Sequence, residues 1–309
     1  MKIGSLFAGV GGIDLAFKNA GAKVLWANEI DSNAITTYKH NFNSLVIHDD
    51  IKNVDFTQLD KVDVLVGGFP CQAFSIAGYR KGFNDERGAV FFEILRAIRE
   101  LDFPNMVFLE NVKNIVSHEE GRTFKIILKE LEKLGYLVKY KIMNTADYSD
   151  IPQNRERIYI IAFKNKNDYE RFQFPEKVNN RLSWRDLVEN NNKDTSLYYN
   201  NKLKCFTLLK ENITNYDSIY QYRRVYVREN KSGLCPTLTA NMGTGGHNVP
   251  LILDNGKIRK LSPQECFAIQ GFPKGFILPN LSKTSLYKQA GNSVSVPVIQ
   301  KIATNLIAL

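Results

Sequence analysis

One cysteine stands in a context that suits chemistry. Cys71 ends the segment Gly67-Gly-Phe-Pro-Cys71, which directly follows the apolar run Val62–Val66. If that run is a strand of a parallel sheet, the thiol lies just past the strand's carboxyl end, where such sheets bind ligands. Lone cysteines are usually inert core residues, but the polar, glycine-rich stretch Ala73–Arg87 disfavours burial and is long enough to form a lid. The sequence therefore favours an exposed thiol that acts as a nucleophile.

A carboxylate and two guanidinium groups are expected at the same edge of the sheet. Glu110 directly follows the apolar run Met106–Leu109, and Arg155 and Arg157 lie just before the run Ile158–Phe163. Beside a nucleophile, Glu110 is placed to act as a proton donor, although a strand-end acid can also cap the next helix. Arginines at alternate strand positions point to one face, so they either form a solvated pair or orient Glu110 and a carbonyl oxygen of the substrate.

The N-terminal residues predict a ligand that contains a ribose. The run Lys2–Phe7 has the pattern of a strand and leads into Ala8-Gly-Val-Gly-Gly12, and Glu29 ends the next predicted strand. Glycines let the backbone approach a ligand, and an acid at that place can bind both ribose hydroxyls. Asp50, after a third apolar run, either accepts a hydrogen bond from an adenine amino group or only caps a helix. The Gly-x-Gly-Gly spacing departs from the dinucleotide fingerprint, which disfavours a nicotinamide oxidoreductase.

These groups need a scaffold in which strands alternate with helices. Short apolar runs alternate with stretches such as Ala89–Glu100 and Arg122–Leu134, whose apolar residues recur at helical spacing. This alternation predicts an α/β fold with a mostly parallel sheet covered by helices on both faces. The pattern changes near Pro175, where a small, irregular, strand-rich second domain is predicted to begin. We predict a catalytic, cofactor-binding domain of residues 1–174 and 286–309, and a second domain of residues 175–285.

Composition limits the classes of protein and partner. The 309 residues carry a formal net charge of +9, and residues 175–260 hold 14 Lys and Arg against 8 Asp and Glu, which favours a polyanionic partner. The four cysteines include no pair with zinc-site spacing, so no metal is expected. The sequence carries neither a signal peptide nor an apolar run long enough for a membrane span. We expect a soluble, cytoplasmic monomer that does not bind a membrane.

Six short motifs follow one another along the chain, in the order Phe7-Ala-Gly-Val-Gly-Gly12, Gly68-Phe-Pro-Cys-Gln72, Glu110-Asn-Val112, Gln153-Asn-Arg-Glu-Arg157, Arg259-Lys-Leu-Ser-Pro-Gln-Glu265 and Gly291-Asn-Ser-Val294. In order and spacing this set resembles the bacterial cytosine-5 DNA methyltransferases of restriction–modification systems, over almost the whole chain. The resemblance implies a Rossmann-like S-adenosylmethionine-dependent methyltransferase fold with a separate target-recognition domain. It also implies methylation of carbon 5 of a cytosine in a specific double-stranded DNA sequence, which protects host DNA from a cognate restriction endonuclease that acts separately.

The resemblance gives each catalytic residue a role. The thiolate of Cys71 would add to carbon 6 of the cytosine and make carbon 5 nucleophilic. Glu110 would protonate or hydrogen-bond the ring at N3, and Arg155, together with Arg157, would hold the carbonyl oxygen. Because a stacked and paired base is closed to this attack, the cytosine must be flipped out of the duplex.

The same resemblance implies two sets of binding residues. Gln221 lies where family members insert a side chain into the gap left by the flipped base, and Arg223, like other surface arginines, is either a DNA contact or simply solvated. The other DNA contacts implied are Ser75, Arg224, Arg228 and Thr237. The S-adenosylmethionine pocket implied is Phe7, Gly9, Gly11, Gly12, Glu29, Asp50, Pro70, Asn292 and Ser293.

Two further functions stay open on the sequence. A few members of this family methylate tRNA with the same Cys, Glu and Arg set, and a DNA-binding module without catalysis would share the basic second domain. The trio of Cys71, Glu110 and Arg155 speaks against the second alternative, because binding alone does not require it. The amino-acid sequence does not reveal which DNA sequence is recognised, because recognition depends on loop geometry and DNA deformation as well as on side chains.

Overall fold

A computed structural model describes residues 1–70, 89–244 and 248–309. The described chain forms two compact units. Unit 1 comprises residues 1–143, 156–176 and 298–309, and unit 2 comprises residues 144–155 and 177–297. No helix within the described ranges is long and apolar enough to cross a membrane, and these ranges contain no cluster of side chains suited to hold a metal ion.

A seven-stranded sheet forms the centre of unit 1, with the spatial order β3-β2-β1-β4-β5-β8-β6. The pairs among the first five strands are parallel, and β8 runs antiparallel to β5. The carboxyl ends of the parallel strands therefore share one edge, where ligands bind in folds of this class. The strands are β1 (Lys2–Leu6), β2 (Lys23–Glu29), β3 (Leu45–His48), β4 (Val64–Gly68), β5 (Met106–Val112), β6 (Leu137–Asn144) and β8 (Glu156–Phe163).

Helices connect these strands and cover the sheet. The central strands β4 and β5 are buried almost throughout, which is why they are continuous apolar runs rather than alternating ones. Asp31 caps the second helix by accepting hydrogen bonds from the backbone amides of Asn33 and Ala34. The helices are α1 (Gly12–Asn19), α2 (Ser32–Asn41), α3 (Ala89–Glu100), α4 (Arg122–Lys133), α6 (Lys166–Arg171) and, largely in this unit, α10 (Val296–Ile307). The seven-stranded sheet and its helices confirm the predicted α/β class with a mostly parallel sheet.

Unit 2 is built on a smaller, antiparallel sheet with the order β10-β9-β12-β13. Two short strands, β7 and β11, form a separate parallel pair. The apolar core of unit 2 includes Leu209, Tyr220, Leu251 and Ile258. The elements are β7 (Gln153–Asn154), β9 (Ile219–Tyr222), β10 (Val227–Asn230), β11 (Cys235–Pro236), β12 (Leu251–Asp254), β13 (Lys257–Lys260), α5 (Thr145–Tyr148), α7 (Phe206–Asn212), α8 (Pro263–Ile269) and α9 (Lys283–Asn292).

A buried arginine links β13 to β12 and to α8 in unit 2. Arg259 is fully buried; its Nε donates to Asp254 Oδ2 at 2.6 Å, and its two terminal nitrogens donate to the Glu265 carboxylate at 2.8 Å each. Glu265 also completes the capping box of α8 with Ser262. Because each charge has a partner of opposite sign, the desolvation cost of burying them is offset.

The compact units differ from the predicted domains in three segments: residues 144–155 and 286–297 belong to unit 2, and residues 175–176 belong to unit 1. The first joins unit 2 through the β7–β11 pair. The second belongs there because α9 approaches the backbone of the 239–240 segment very closely at Gly291, where a Cβ atom would lie 2.1 Å from the Thr239 carbonyl carbon. Hydropathy alone does not reveal such a backbone contact.

Candidate active site

Glu110 lies at the ligand-binding edge of unit 1. It pairs with Gly68 at the end of β4, and a Cβ atom on Gly68 would lie 3.4 Å from Glu110 Oε2. The glycine therefore keeps space beside the carboxylate. The Glu110 side chain is almost fully buried, and Oε1 lies 3.1 Å from Arg157 Nε while making no hydrogen bond of good geometry within the described part of the chain. A buried oxygen of this kind is available to a ligand.

The segment that leads into the predicted nucleophile is held by a residue outside the predicted set. Asn111 Nδ2 donates to the backbone oxygen of Phe69 at 2.8 Å, and both residues are buried. Pro70, which follows, is exposed. The chain is thus fixed beside Glu110 at Phe69, two residues before Cys71. Cys71 itself and Ser75 lie outside the described residues.

The two motif arginines take different places. Arg157 projects toward Glu110 within unit 1, as expected for a group that orients the carboxylate. Arg155 lies in unit 2 and is 3% exposed, and its guanidinium donates to the backbone oxygens of Leu238, at 2.8 Å, and Ser293. The alternation of side chains along a strand therefore does not extend across this pair, because β7 ends at Asn154 and β8 begins at Glu156.

The glycine loop fits a nucleoside ligand. Glu29 Oε2 accepts a hydrogen bond from the Gly9 amide at 2.8 Å, and Oε1 accepts from the amides of Ile30 and Asp31. A carboxylate oxygen can accept two hydrogen bonds. Among the residues that the structure describes, only the Gly9 amide donates to Oε2, so this oxygen can also bind a ribose hydroxyl. Gly9 has φ 56°, and a Cβ atom there would meet nothing within 4 Å, so the loop opens onto free space. Phe7, at φ 53°, begins the same turn.

The second part of the glycine loop packs against aromatic rings. Gly11, at φ 86°, caps α1, and a Cβ atom there would lie 2.4 Å from the ring of Phe42. That ring stacks on Tyr38, with ring centroids 4.5 Å apart. Gly12, the first residue of α1, is buried. The glycines at 9 and 11 therefore serve different purposes: one borders open space and the other admits an aromatic ring.

Asp50 lies where both of its predicted roles are compatible. Its carboxylate accepts from the Lys52 amide at 3.0 Å as a helix cap, which occupies only one of its oxygens. Asn28 holds the preceding residue by donating to the backbone oxygens of Ile47 and Asp49. In unit 2, Asn292 is exposed and Ser293 is buried, with its Oγ lacking a hydrogen-bond partner among the described atoms. An orphaned buried hydroxyl is consistent with the predicted ligand contact.

The predicted DNA contacts divide into exposed and buried side chains. The β9–β10 hairpin closes at residues 223–226, where the Arg223 amide donates to the Tyr226 oxygen at 2.8 Å. Arg223, Arg224 and Arg228 are exposed. Gln221 is 9% exposed within β9. Thr237 Oγ1 donates to the backbone oxygen of Asn154 at 2.6 Å.

Comparison with known proteins shows to which family the chain belongs. The family described as C-5 cytosine-specific DNA methylase matches residues 1–308. The chain belongs to this family. It is 53% identical over 310 residues to the type II methyltransferase M.Bsp6I of Bacillus sp. (strain RFL6), covering 99% of this chain and 98% of that protein. It is 38% identical over 315 residues to the type II methyltransferase M.HhaI of Haemophilus parahaemolyticus, covering 97% and 92%.

Solved structures agree on the fold of this C-5 cytosine-specific DNA methylase. The S. pombe Dnmt2 methyltransferase matches it with a TM-score of 0.78 at 20% identity, over 100% of this chain and 98% of that chain. Family membership confirms the resemblance found in the motifs. The chain is a DNA (cytosine-5-)-methyltransferase (EC 2.1.1.37) whose methyl donor is S-adenosylmethionine.

Three residues with a place in the site were not singled out from the sequence. Asn111 and Asn28 fix backbone segments at the ligand edge, and Asp14 is a carboxyl group buried in α1 behind the glycine loop. Asn111 lies inside the Glu110-Asn-Val112 motif, and Asp14 lies two residues after the glycine motif; these positions are the signal that would have found them. For Asn28, the position next to Glu29 is the corresponding signal.

Proposed function

We propose that this DNA (cytosine-5-)-methyltransferase modifies one cytosine in a specific duplex sequence and so protects host DNA from a separate cognate restriction endonuclease. The type II methyltransferases to which it is 53% and 38% identical support this proposal. We also propose that it acts in the cytoplasm as a monomer, and that residues 175–285 recognise the DNA. The surplus of basic residues in that region supports the last point.

The chemistry proposed for the chain's own residues centres on Cys71 and Glu110. S-adenosylmethionine supplies an electrophilic methyl group on a sulfonium. The thiolate of Cys71 adds to carbon 6 of the flipped cytosine, and the electron pair displaced makes carbon 5 nucleophilic. After methylation, loss of the proton on carbon 5 restores the ring double bond and releases the thiolate. Glu110 donates a hydrogen bond or proton to N3, which offsets the charge that builds up during addition.

The observation that carries this assignment is the buried Glu110 carboxylate, which lies 3.1 Å from Arg157 and beside Gly68, two residues before the Pro70-Cys71 step. The geometry also refines the roles of the arginines. Arg157, which faces Glu110, is the group that we propose to orient the carboxylate and the cytosine carbonyl oxygen. Arg155 is instead engaged with the backbone carbonyl groups of Leu238 and Ser293.

A covalent trap tests the proposed chemistry. Fluorine at carbon 5 cannot leave as a proton does, so 5-fluorocytosine DNA should trap the wild type as an adduct stable to denaturing gels. Cys71→Ser should form none. Cys205→Ser is the matched control, because Cys205 is a partly exposed thiol far along the chain, and it should keep the adduct. Survival of the adduct in Cys71→Ser would rule out Cys71 as the nucleophile.

A second assay separates DNA from RNA as the substrate. Transfer of a tritiated methyl group should label duplex DNA and leave tRNA unlabelled. Bisulfite sequencing of DNA from cells that express the protein should then show one methylated sequence context. Labelling of tRNA without duplex DNA would assign the chain to the RNA-modifying branch instead.

A further inference from the structure

Arg155 is a buried cation whose guanidinium donates to three backbone oxygens. Its Nη1 donates to the backbone oxygen of Leu238 at 2.8 Å, and its Nη2 donates to the backbone oxygens of Gly291, at 3.4 Å, and Ser293. Its backbone takes part as well, since the Thr145 amide donates to the Arg155 oxygen at 2.9 Å. All of these groups belong to unit 2. One planar guanidinium therefore joins two chain segments that lie more than fifty residues apart in sequence.

The first of these segments contains a predicted DNA contact. Leu238 follows Thr237, whose Oγ1 donates to the Asn154 oxygen at 2.6 Å. Just before it, β11 pairs with β7 at Cys235 and Pro236. The 235–238 segment is thus fixed to residues 153–155 through strand pairing, a side-chain hydroxyl and the guanidinium together.

The second segment contains the predicted cofactor contacts. The oxygens of Gly291 and Ser293 lie on either side of Asn292, at the end of α9. Ser293 Oγ is buried and makes no hydrogen bond within the described chain, as expected for a group that awaits a ligand. The backbone of Gly291 also rests against Thr239, so the two segments touch directly next to the guanidinium.

The chemistry of arginine suits a side chain that links two backbone segments. A guanidinium offers five donors in a rigid plane, whereas a lysine ammonium is a point charge that cannot hold the same divergent acceptors. Charge-assisted hydrogen bonds in a buried setting are strong, and displacement of one acceptor disturbs the others. A shift or ordering of residues 237–238 is therefore felt at residues 291–293.

We propose that Arg155 is a positioning residue that couples DNA binding to cofactor binding. The proposal rests on the proposed function, in which Thr237 contacts DNA and Asn292 and Ser293 contact the cofactor. When either ligand orders its own segment, the guanidinium orders the other, so the second ligand binds with a smaller loss of conformational entropy. The coupling is reciprocal: each ligand raises the affinity for the other by the same factor.

The test measures that factor directly. Titration calorimetry would give the Kd of S-adenosylhomocysteine, the demethylated product, with and without a duplex that carries the sequence found by bisulfite sequencing. In the wild type the duplex should tighten binding by about tenfold, within the usual range for coupled sites. In Arg155→Lys and Arg155→Met the ratio should fall to about one.

Arg259→Lys is the matched control. Arg259 is also fully buried in unit 2, but it is held by Asp254 and Glu265. It should lower the melting temperature and leave the coupling ratio unchanged. A normal ratio in the Arg155 variants, or an equal loss in Arg259→Lys, would overturn the proposal. A wild type that traps 5-fluorocytosine but shows no coupling refutes only this inference, whereas absence of the trap refutes the proposed function.

A measurement on the wild type alone guards against variants that fail to fold. S-adenosylhomocysteine, added without DNA, should slow amide hydrogen exchange at residues 237–238. The duplex, added without S-adenosylhomocysteine, should slow exchange at residues 291–293. Protection confined to each ligand's own segment would contradict the coupling.

Discussion

At the scale of single residues, the pair of Glu110 and Arg157 makes the sharpest prediction. Arg157 Nε lies 3.1 Å from Glu110 Oε1 within a nearly buried site. Arg157→Lys keeps the charge but loses the planar donor, so the rate of methyl transfer in a single turnover should fall by about 10²-fold. S-adenosylhomocysteine should bind with unchanged affinity. Arg122→Lys, at an exposed arginine on α4, should leave the rate alone; a rate loss limited to weaker cofactor binding would contradict the role of Arg157.

Asp14 gives a residue-scale prediction about pH. Burial raises the pKa of Asp14 to about 6, against the smaller opposing effect of the hydroxyl groups of Ser5 and Tyr38. Below about pH 3 the carboxyl is protonated in both folded and unfolded chains, so it costs no stability. Between that pH and about 6 the unfolded chain ionises it more readily than the folded chain, so the cost grows. As the pH rises through 6 the folded chain is forced to ionise it, and the cost reaches its full value, of the order of 3 kcal/mol.

Asp14→Asn removes that cost, apart from the smaller cost of a buried amide. The variant should therefore gain about 1–3 kcal/mol in the free energy of unfolding at pH 7.5 and almost nothing at about pH 3. Urea unfolding across this range measures both values. A gain of equal size at both pH values would show that ionisation is not the cause.

The residues that sequence could predict are those whose place follows from a strand end. Glu29 and Glu110 end or nearly end parallel strands, and such ends share one edge. Arg155 could not be placed in this way, because its position depends on carbonyl groups that are distant in sequence. Gln221, expected to reach into DNA, is largely buried in the antiparallel sheet of unit 2, and that burial depends on packing that one strand's pattern does not reveal.

At the scale of elements, the glycine loop predicts two different outcomes from the same substitution. Gly11→Ala would place a Cβ atom 2.4 Å from the Phe42 ring, at φ 86°, so it should lower the melting temperature strongly. Gly9→Ala, at φ 56°, meets no neighbouring atom, so it should cost only backbone strain of about 1–2 kcal/mol. Its methyl group enters the space proposed for the cofactor. Calorimetry should show weaker S-adenosylhomocysteine binding in Gly9→Ala; normal binding would place the cofactor elsewhere.

The β9–β10 hairpin makes a second element-scale prediction. Its turn exposes Arg223 and Arg224, next to Val225, which is 81% exposed. If Arg224 contacts a phosphate, Arg224→Ala should weaken duplex binding and reduce the slope of log K against log salt by about 1. Fluorescence anisotropy across a salt series measures both. Lys166→Ala, at an exposed residue of α6, is the control and should change neither; a constant slope in Arg224→Ala would exclude a phosphate contact.

Element types were predictable where periodicity is strong, and element partners were not. The helical spacing predicted residues 89–100 as a helix, and α3 has those bounds. The apolar run at Ile158–Phe163 predicted a strand, but its antiparallel place between β5 and β6 is a property of the assembled sheet. The short β7–β11 pair carried no pattern at all, since each strand has two residues and one contains a proline.

At the scale of the whole molecule, the charge distribution and the single set of site residues predict one chain per DNA site. The formal charge of +9 disfavours self-association at low salt, because like-charged chains repel. Light scattering coupled to gel filtration should therefore give a molar mass near 35.2 kDa for the free protein. Mixed with the duplex used above, the protein should add one chain per duplex, and higher salt should dissociate the complex without producing a dimer. A mass near twice the monomer value, free or on DNA, would show that the active species needs a second copy.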